Sequence, residues 1–98
     1  MLNLRHLVWD DWNVPHIARH GVTQDEVEEA CRADHVIYRK TYKDRLLLIG
    51  ATRAGSVLAI VLGPVPNQPD GIYYPFTARP AHRSERRDYE QVKGETQK

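Results

Sequence analysis

Two periodicities divide the chain. Between Asn13 and Asp34 the apolar residues recur at helical spacing, whereas from His35 to Arg79 they fall in short β-branched and aliphatic runs broken by "KD", by "RAG" and by a proline-rich stretch. Ahead of both, "LRHLVWD" alternates imperfectly, with Leu4, His6 and Val8 set against Arg5, Leu7 and Trp9, and predicts a short strand. In "DWNVPHIARHG", Asn13 is placed to cap a short helix, Pro15 lies in its first turn, where a missing N–H does no harm, and Gly21 supplies a left-handed stop. A second helix follows at once. Thr23 and Glu26 form a T-x-x-E capping box, with Val27, Ala30 and Cys31 on one face.

The later runs predict antiparallel strands over roughly 35–41, 44–52 and 56–63. "LLLIGA" and "VLAIVL" are nearly continuously apolar, so both faces of those strands need cover, one of them from the helices. "GPVPNQPDG" carries three prolines and two glycines in nine residues and predicts an irregular connection. "IYYPFTAR" resumes as a strand whose Pro75 calls for an edge position or a bulge. "PAHRSERRDYEQVK" then predicts a helix opened by Pro80, followed by a frayed polar tail, "GETQK". The order β-α-α-β-β-β-β-α specifies an α+β fold: one domain over residues 1–92 with a mainly antiparallel sheet of four to five strands, and a tail over 93–98.

Length and composition agree with one small folded domain: 98 residues, 41% hydrophobic and 28% charged. No apolar run approaches the ~20 residues of a membrane helix, and "MLNLRHLVWDDW" lacks the apolar core of a signal peptide, so a cytoplasmic location is expected. The single cysteine, Cys31, can form no internal disulfide and no cysteine-rich zinc site; it is expected to be a small buried side chain. The net charge of +1 conceals an asymmetry. Residues 1–34 hold seven acids and three bases, a net −4, while residues 35–98 hold eleven bases and six acids, a net +5. Ten of the fourteen cations are arginine, whose planar fork matches phosphate and carboxylate. A basic second part suggests an anionic ligand.

His16 and His20, four residues apart, share a helical face. As metal ligands they lack a third partner nearby, and only the fold could bring Asp10, His35 or His82 to them. As a helix end they are explained, because a histidine beside a glycine stop is favoured by the helix dipole. Near the C-terminus, a strand-to-helix junction places Arg79 at the strand end, with Glu85 and Tyr89 on one helical face and Arg86 flanking them. Such a junction suits a phosphate, and a solvated helix with Arg–Glu pairs explains the same residues.

Three blocks, "WDDWNVPHIARHGVTQDEVEEA", "RLLLIGATRAGSVLAIVL" and "YYPFTARPAHRSERRDYE", resemble in order the signature blocks of the BrnT family, small toxins of type II toxin-antitoxin systems. The likeness covers about residues 8 to 90. It implies a compact RelE-like α+β ribonuclease that needs no cofactor and no metal. It also implies neutralisation by an antitoxin, often one with a ribbon-helix-helix DNA-binding domain, with a toxin–antitoxin heterotetramer as one arrangement. On this resemblance, His20, Arg45, Arg79, Glu85 and Tyr89 are expected to be catalytic, and Arg53, Arg83 and Arg86 to bind the RNA. Histidine suits proton transfer and arginine suits the phosphate; Glu85 could orient an arginine or act as base, and Tyr89 could stack on a base or assist proton transfer. The chain departs from the family pattern: Trp12 and Asn13 stand where a lysine is usual, the first helix is one residue shorter, His16 stands where asparagine is common, and "LGPVPNQPDG" replaces a short loop. A module of the same fold that binds RNA or protein without cutting, and a subunit stable only in a complex, are the alternatives.

Overall fold

The computed structural model describes residues 3–96 and orders them as β1 (His6–Leu7), α1 (Asn13–Ala18), α2 (Gln24–Cys31), β2 (Val36–Lys40), β3 (Leu46–Ala51), β4 (Val57–Pro64), β5 (Ile72–Pro80) and α3 (Arg83–Thr96). This is the α+β order expected. The five strands form one sheet in the order β1-β5-β4-β3-β2; every pairing is antiparallel except the short parallel contact of β1 with β5.

Strand register decides what each face of the sheet carries. Leu48, Ile60 and Ala78 form one cross-strand row, and their neighbours Ile49, Ala59 and Arg79 form a row on the opposite face. The first face packs against α1 and α2, burying Leu7, Ile17, Val27, Leu48, Ile60 and Leu62 almost completely. Each such side chain contributes about 1.5–3 kcal/mol. A six-residue helix such as α1 is too short to persist alone, so this packing is what holds it. The second face meets α3, whose Tyr89 packs with Ile49 and Ala59 over Ile37, Leu47, Ala51 and Val57. The apolar runs of β3 and β4 thus find cover on both sides, but the α3 side is covered at one end only.

The capping box of α2 is present: Glu26 N–H donates to Thr23 Oγ1 at 3.2 Å, and Thr23 N–H donates to Glu26 Oε1 at 2.9 Å. Cys31 closes α2 in the core, where burial first, then the Glu28 charge, pushes its thiol up to about 12. Asn13 is not the cap of α1. Trp12 occupies that position, and Asp10 Oδ1 accepts from Trp12 N–H at 2.9 Å and Asn13 N–H at 3.0 Å. An aspartate two and three residues upstream reaches both free donors, which leaves buried Asn13 to donate from Nδ2 to the Val8 carbonyl at 2.9 Å.

Four boundaries differ from expectation. A 3-10 turn at Tyr42–Asp44, with Lys43 and Asp44 both at φ 59°, delays β3 to Leu46. β4 continues through Gly63 and Pro64, which pair with Tyr74 and Tyr73, so the irregular connection is shorter. Pro80 ends β5 rather than opening α3, because it pairs with Leu58 and the ladder continues as Ala81 N–H donates to the Val57 carbonyl at 2.9 Å. Finally, α3 runs through Gly94 to Thr96, where the tail was placed; residues 97 and 98 of that tail lie outside the described residues. Pro75 sits beside a bulge and beyond the two-residue ladder to β1, so its missing N–H leaves no gap in a central ladder. No helix among the described residues is long and apolar enough to cross a membrane.

Candidate nucleic-acid interface

The uncovered end of the α3-side face is where cations gather. Along it, Arg39, Leu47, Val61 and Thr77 form one cross-strand row, next to the row that ends in Arg79. Arg45, one residue before β3, follows at the far end, beyond the Leu46–Leu62 pair. The floor is small or apolar and three arginines rise from it.

The bulge makes this surface. Thr77 pairs with Val61 and Pro75 pairs with Leu62, so Phe76 is the extra residue and its ring is free to turn onto the face that already carries Thr77. Gly63 permits it, since a Cβ at Gly63 would collide with the Phe76 ring. Arg45 then lies over that ring, its Cζ 3.8 Å from the centroid, while Tyr74 meets Phe76 edge-on at 5.1 Å. A guanidinium over an aromatic ring is attracted by the ring face and still has N–H donors to offer a phosphate.

At the other end, Arg79 is fixed by a fork. Nη1 donates to Glu85 Oε1 at 2.7 Å and Nη2 donates to Glu85 Oε2 at 3.0 Å, the bidentate geometry that matches guanidinium to carboxylate. Glu85 sits in the first turn of α3 and also accepts His82 N–H at 2.7 Å, so one carboxylate both caps the helix and orients the arginine. The Arg79 bonds hold the Glu85 carboxyl down from 4.5 to about 2, against its burial, with the His82 N–H adding to the effect. At neutral pH Glu85 is therefore ionised and committed, a poor proton acceptor and a good clamp. A group whose folded value lies below its unfolded one stabilises the fold above the unfolded value and loses that contribution as the pH falls. Acid titration of stability is thus expected to show a loss between about pH 4.5 and 2 that the Glu85→Gln variant does not show. Denaturant midpoints measured across that range check this.

The remaining expected residues are distributed differently. Tyr89 is 2% exposed, its hydroxyl donates to the His35 carbonyl at 3.3 Å, and burial raises its pKa; it packs the core and cannot stack on a ligand. His20 lies in the joint between α1 and α2, on the other side of the sheet, its ring edge-on to His16 at 6.0 Å, and among the described residues it makes no direct contact with Arg45, Arg79 or Glu85. Arg53 is in the β3–β4 turn, where its N–H donates to Glu29 Oε1 at 3.0 Å. Arg83 is exposed at the start of α3, and Arg86 donates to the Ala81 carbonyl at 2.8 Å. So Arg45, Arg79 and Glu85 share the open face, whereas His20 and Tyr89 do not join them.

Sequence reasoning passed over Arg39 and Phe76, and weighed His82 only as a distant metal ligand. The histidine next to the Arg79–Glu85 fork is His82, whose charge also favours the Glu85 carboxylate. A signal existed for it: in "AHRSE" it stands three residues before a glutamate, the spacing at which a helix cap is closed. Phe76 gave no such signal, because the bulge that turns it depends on pairing with β4. No family model matches the chain, and no curated protein matches it.

Proposed function

We propose that this chain is a metal-independent ribonuclease toxin of the BrnT type, which binds RNA across the half-covered, α3-side face of its sheet in the cytoplasm until an antitoxin masks that face. The observation that carries this reading is the Arg79–Glu85 fork standing beside His82 on the sheet face that also presents Arg39 and Arg45. The three block resemblances and the +5 balance of residues 35–98 agree with it.

The chemistry needs a proton acceptor for the 2′-hydroxyl, fixed positive charge for the phosphorane, and a donor for the departing 5′-oxygen. Attack of the 2′-oxygen on phosphorus forms the 2′,3′-cyclic phosphate as the P–O5′ bond breaks, and the proton taken from the 2′-hydroxyl is balanced by one given to the 5′-oxygen. Arg79 supplies charge in a fixed orientation. His82, exposed at the start of α3, carries the proton in this reading. Arg45 lies farther along the face, four strand residues or about 13 Å from the Arg79 level, and so holds a different phosphate of the same strand.

A second reading, an RNA-binding module that does not cut, is favoured by one observation. The histidine and tyrosine that the resemblance makes catalytic, His20 and Tyr89, lie across the sheet and in the core. Induction of the chain in bacteria, with and without the neighbouring open reading frame, separates the two. Growth arrest relieved by the neighbour supports the toxin, and normal growth at good yield of folded protein rejects it.

A further inference from the structure

Beyond Phe76 the open face runs into a groove of about 410 Å³ lined by Trp12, Pro64, Val65, Pro66, Tyr74 and Phe76. Its walls are almost wholly flat rings and prolines. Trp12 is 55% exposed, yet it is fixed: His16 stacks on the indole at 4.7 Å with the planes 13° apart, and Asp10 holds the turn beneath it. With one face of the indole against His16, the other is left for the groove. Tyr74 is pinned too, its hydroxyl donating to both oxygens of Asp10 at 2.9 Å. Three aromatic side chains are thus held in place around an open slot, and Arg45 adjoins it through Phe76, its Cζ 3.8 Å from that ring's centroid.

We infer that this groove takes a nucleobase of single-stranded RNA, stacked on Trp12 and against Tyr74 and Phe76, with Arg45 on the adjoining phosphate. The inference rests on the reading of the open face as an RNA surface and adds to it a stacking subsite remote from the Arg79–Glu85 fork. Shape and charge together select this occupant. Stacking accepts any base because every base has a π-face, and the slot offers few polar groups to read base edges, so the subsite holds the strand without choosing its sequence. The cation on Phe76, next to the slot, suits the phosphodiester that accompanies a base, and an apolar peptide would give Arg45 no counter-charge. The acids near the slot are Asp10, engaged by Tyr74 and two backbone N–H groups, and Asp11, on the His16 side of Trp12.

The test titrates the whole chain with hexa-deoxyuridylate and hexa-uridylate in EDTA while following tryptophan emission. Trp9, whose Nε1 donates to Glu28 at 3.0 Å, is the internal reference, so the Trp9→Phe variant reports Trp12 alone. Quenching is expected with both oligonucleotides, lost in Trp12→Ala together with about a tenfold weakening of binding measured by anisotropy. Arg45→Gln is expected to lower the salt dependence of binding by about one phosphate contact, which Trp12→Ala leaves unchanged. Binding that is absent, or equally tight in Trp12→Ala, overturns the subsite, as does concentration-dependent self-association that disappears in Trp12→Ala. The deoxy probe has no 2′-hydroxyl and cannot be cut, so its binding stands even where cleavage fails. Cleavage without any Trp12 effect removes the subsite alone.

Discussion

In the Arg79→Ala variant, RNA cleavage and growth arrest are expected to fall by about two to three orders of magnitude, the scale on which a fixed donor to a developing oxyanion contributes. The size follows from how Arg79 is held. Its fork to Glu85 removes the freedom of a long side chain in advance, so under the proposed ribonuclease reading its charge is already oriented for the phosphorane. The variant is also expected to lose some stability, because Glu85, a buried residue in the intact protein, keeps only the His82 N–H as partner for its carboxylate. Removing one partner of a fully buried pair costs about 3–5 kcal/mol, and here, with the Arg79 side chain 31% exposed, about 1–2 kcal/mol is the expected scale. Urea midpoints of the purified variant separate the two effects. Arg79→Lys sharpens the test: it keeps the charge and loses the fork, so activity intermediate between wild type and Arg79→Ala is expected.

The second large effect concerns the fold. Gly50 of β3 faces α2 at a point where a Cβ would collide with the Ala30 carbonyl oxygen and lie 3.1 Å from its carbon and 3.2 Å from Val36 Cγ1. The obstacle is helix backbone, which cannot turn aside as a side chain does, so α2 must lift from the sheet. Gly50→Val is expected to destabilise the protein by about 3 kcal/mol or more, lowering the melting temperature by about 12–24 °C. Gly94 in α3 serves as the contrast. A Cβ there meets nothing within 4 Å, so Gly94→Ala is expected to be neutral or stabilising by up to about 1 kcal/mol. Thermal unfolding of both variants checks the pair. Equal, small effects would show that α2 does not sit as closely on β3 as described.

These cases also mark how far the sequence could be read. The capping box at Thr23 and Glu26, the turn at Lys43 and Asp44 and the apolar runs of β3 and β4 are local patterns, and local patterns settled the order of elements. The errors at Pro64 and Pro80 have one cause: both prolines sit at strand ends, where pairing with Tyr73 and Leu58 across the sheet outweighs their usual reading as breakers. The candidate site was legible where residues are close in sequence, as with Arg79 and Glu85, six apart. It was not legible where the sheet does the assembling. Arg39, Arg45, Phe76 and Arg79 share a face only because of strand register and one bulge, and Tyr89 leaves the surface because α3 needs an aromatic side chain over Ile49 and Ala59. His20, in the joint between α1 and α2, stands apart from that face, whereas His82 adjoins the Arg79–Glu85 fork.

The ribonuclease reading depends on the Arg79–Glu85 fork acting on RNA, and one assay addresses it most directly. Purified wild-type and Arg79→Ala chains are incubated with 5′-labelled single-stranded RNA in EDTA, and the same pair is incubated with translating ribosomes. Cleavage by the wild type to products ending in 2′,3′-cyclic phosphate, lost in Arg79→Ala, is the expected result. RNA that stays intact with the wild type in both settings, or is cut equally by Arg79→Ala, contradicts it.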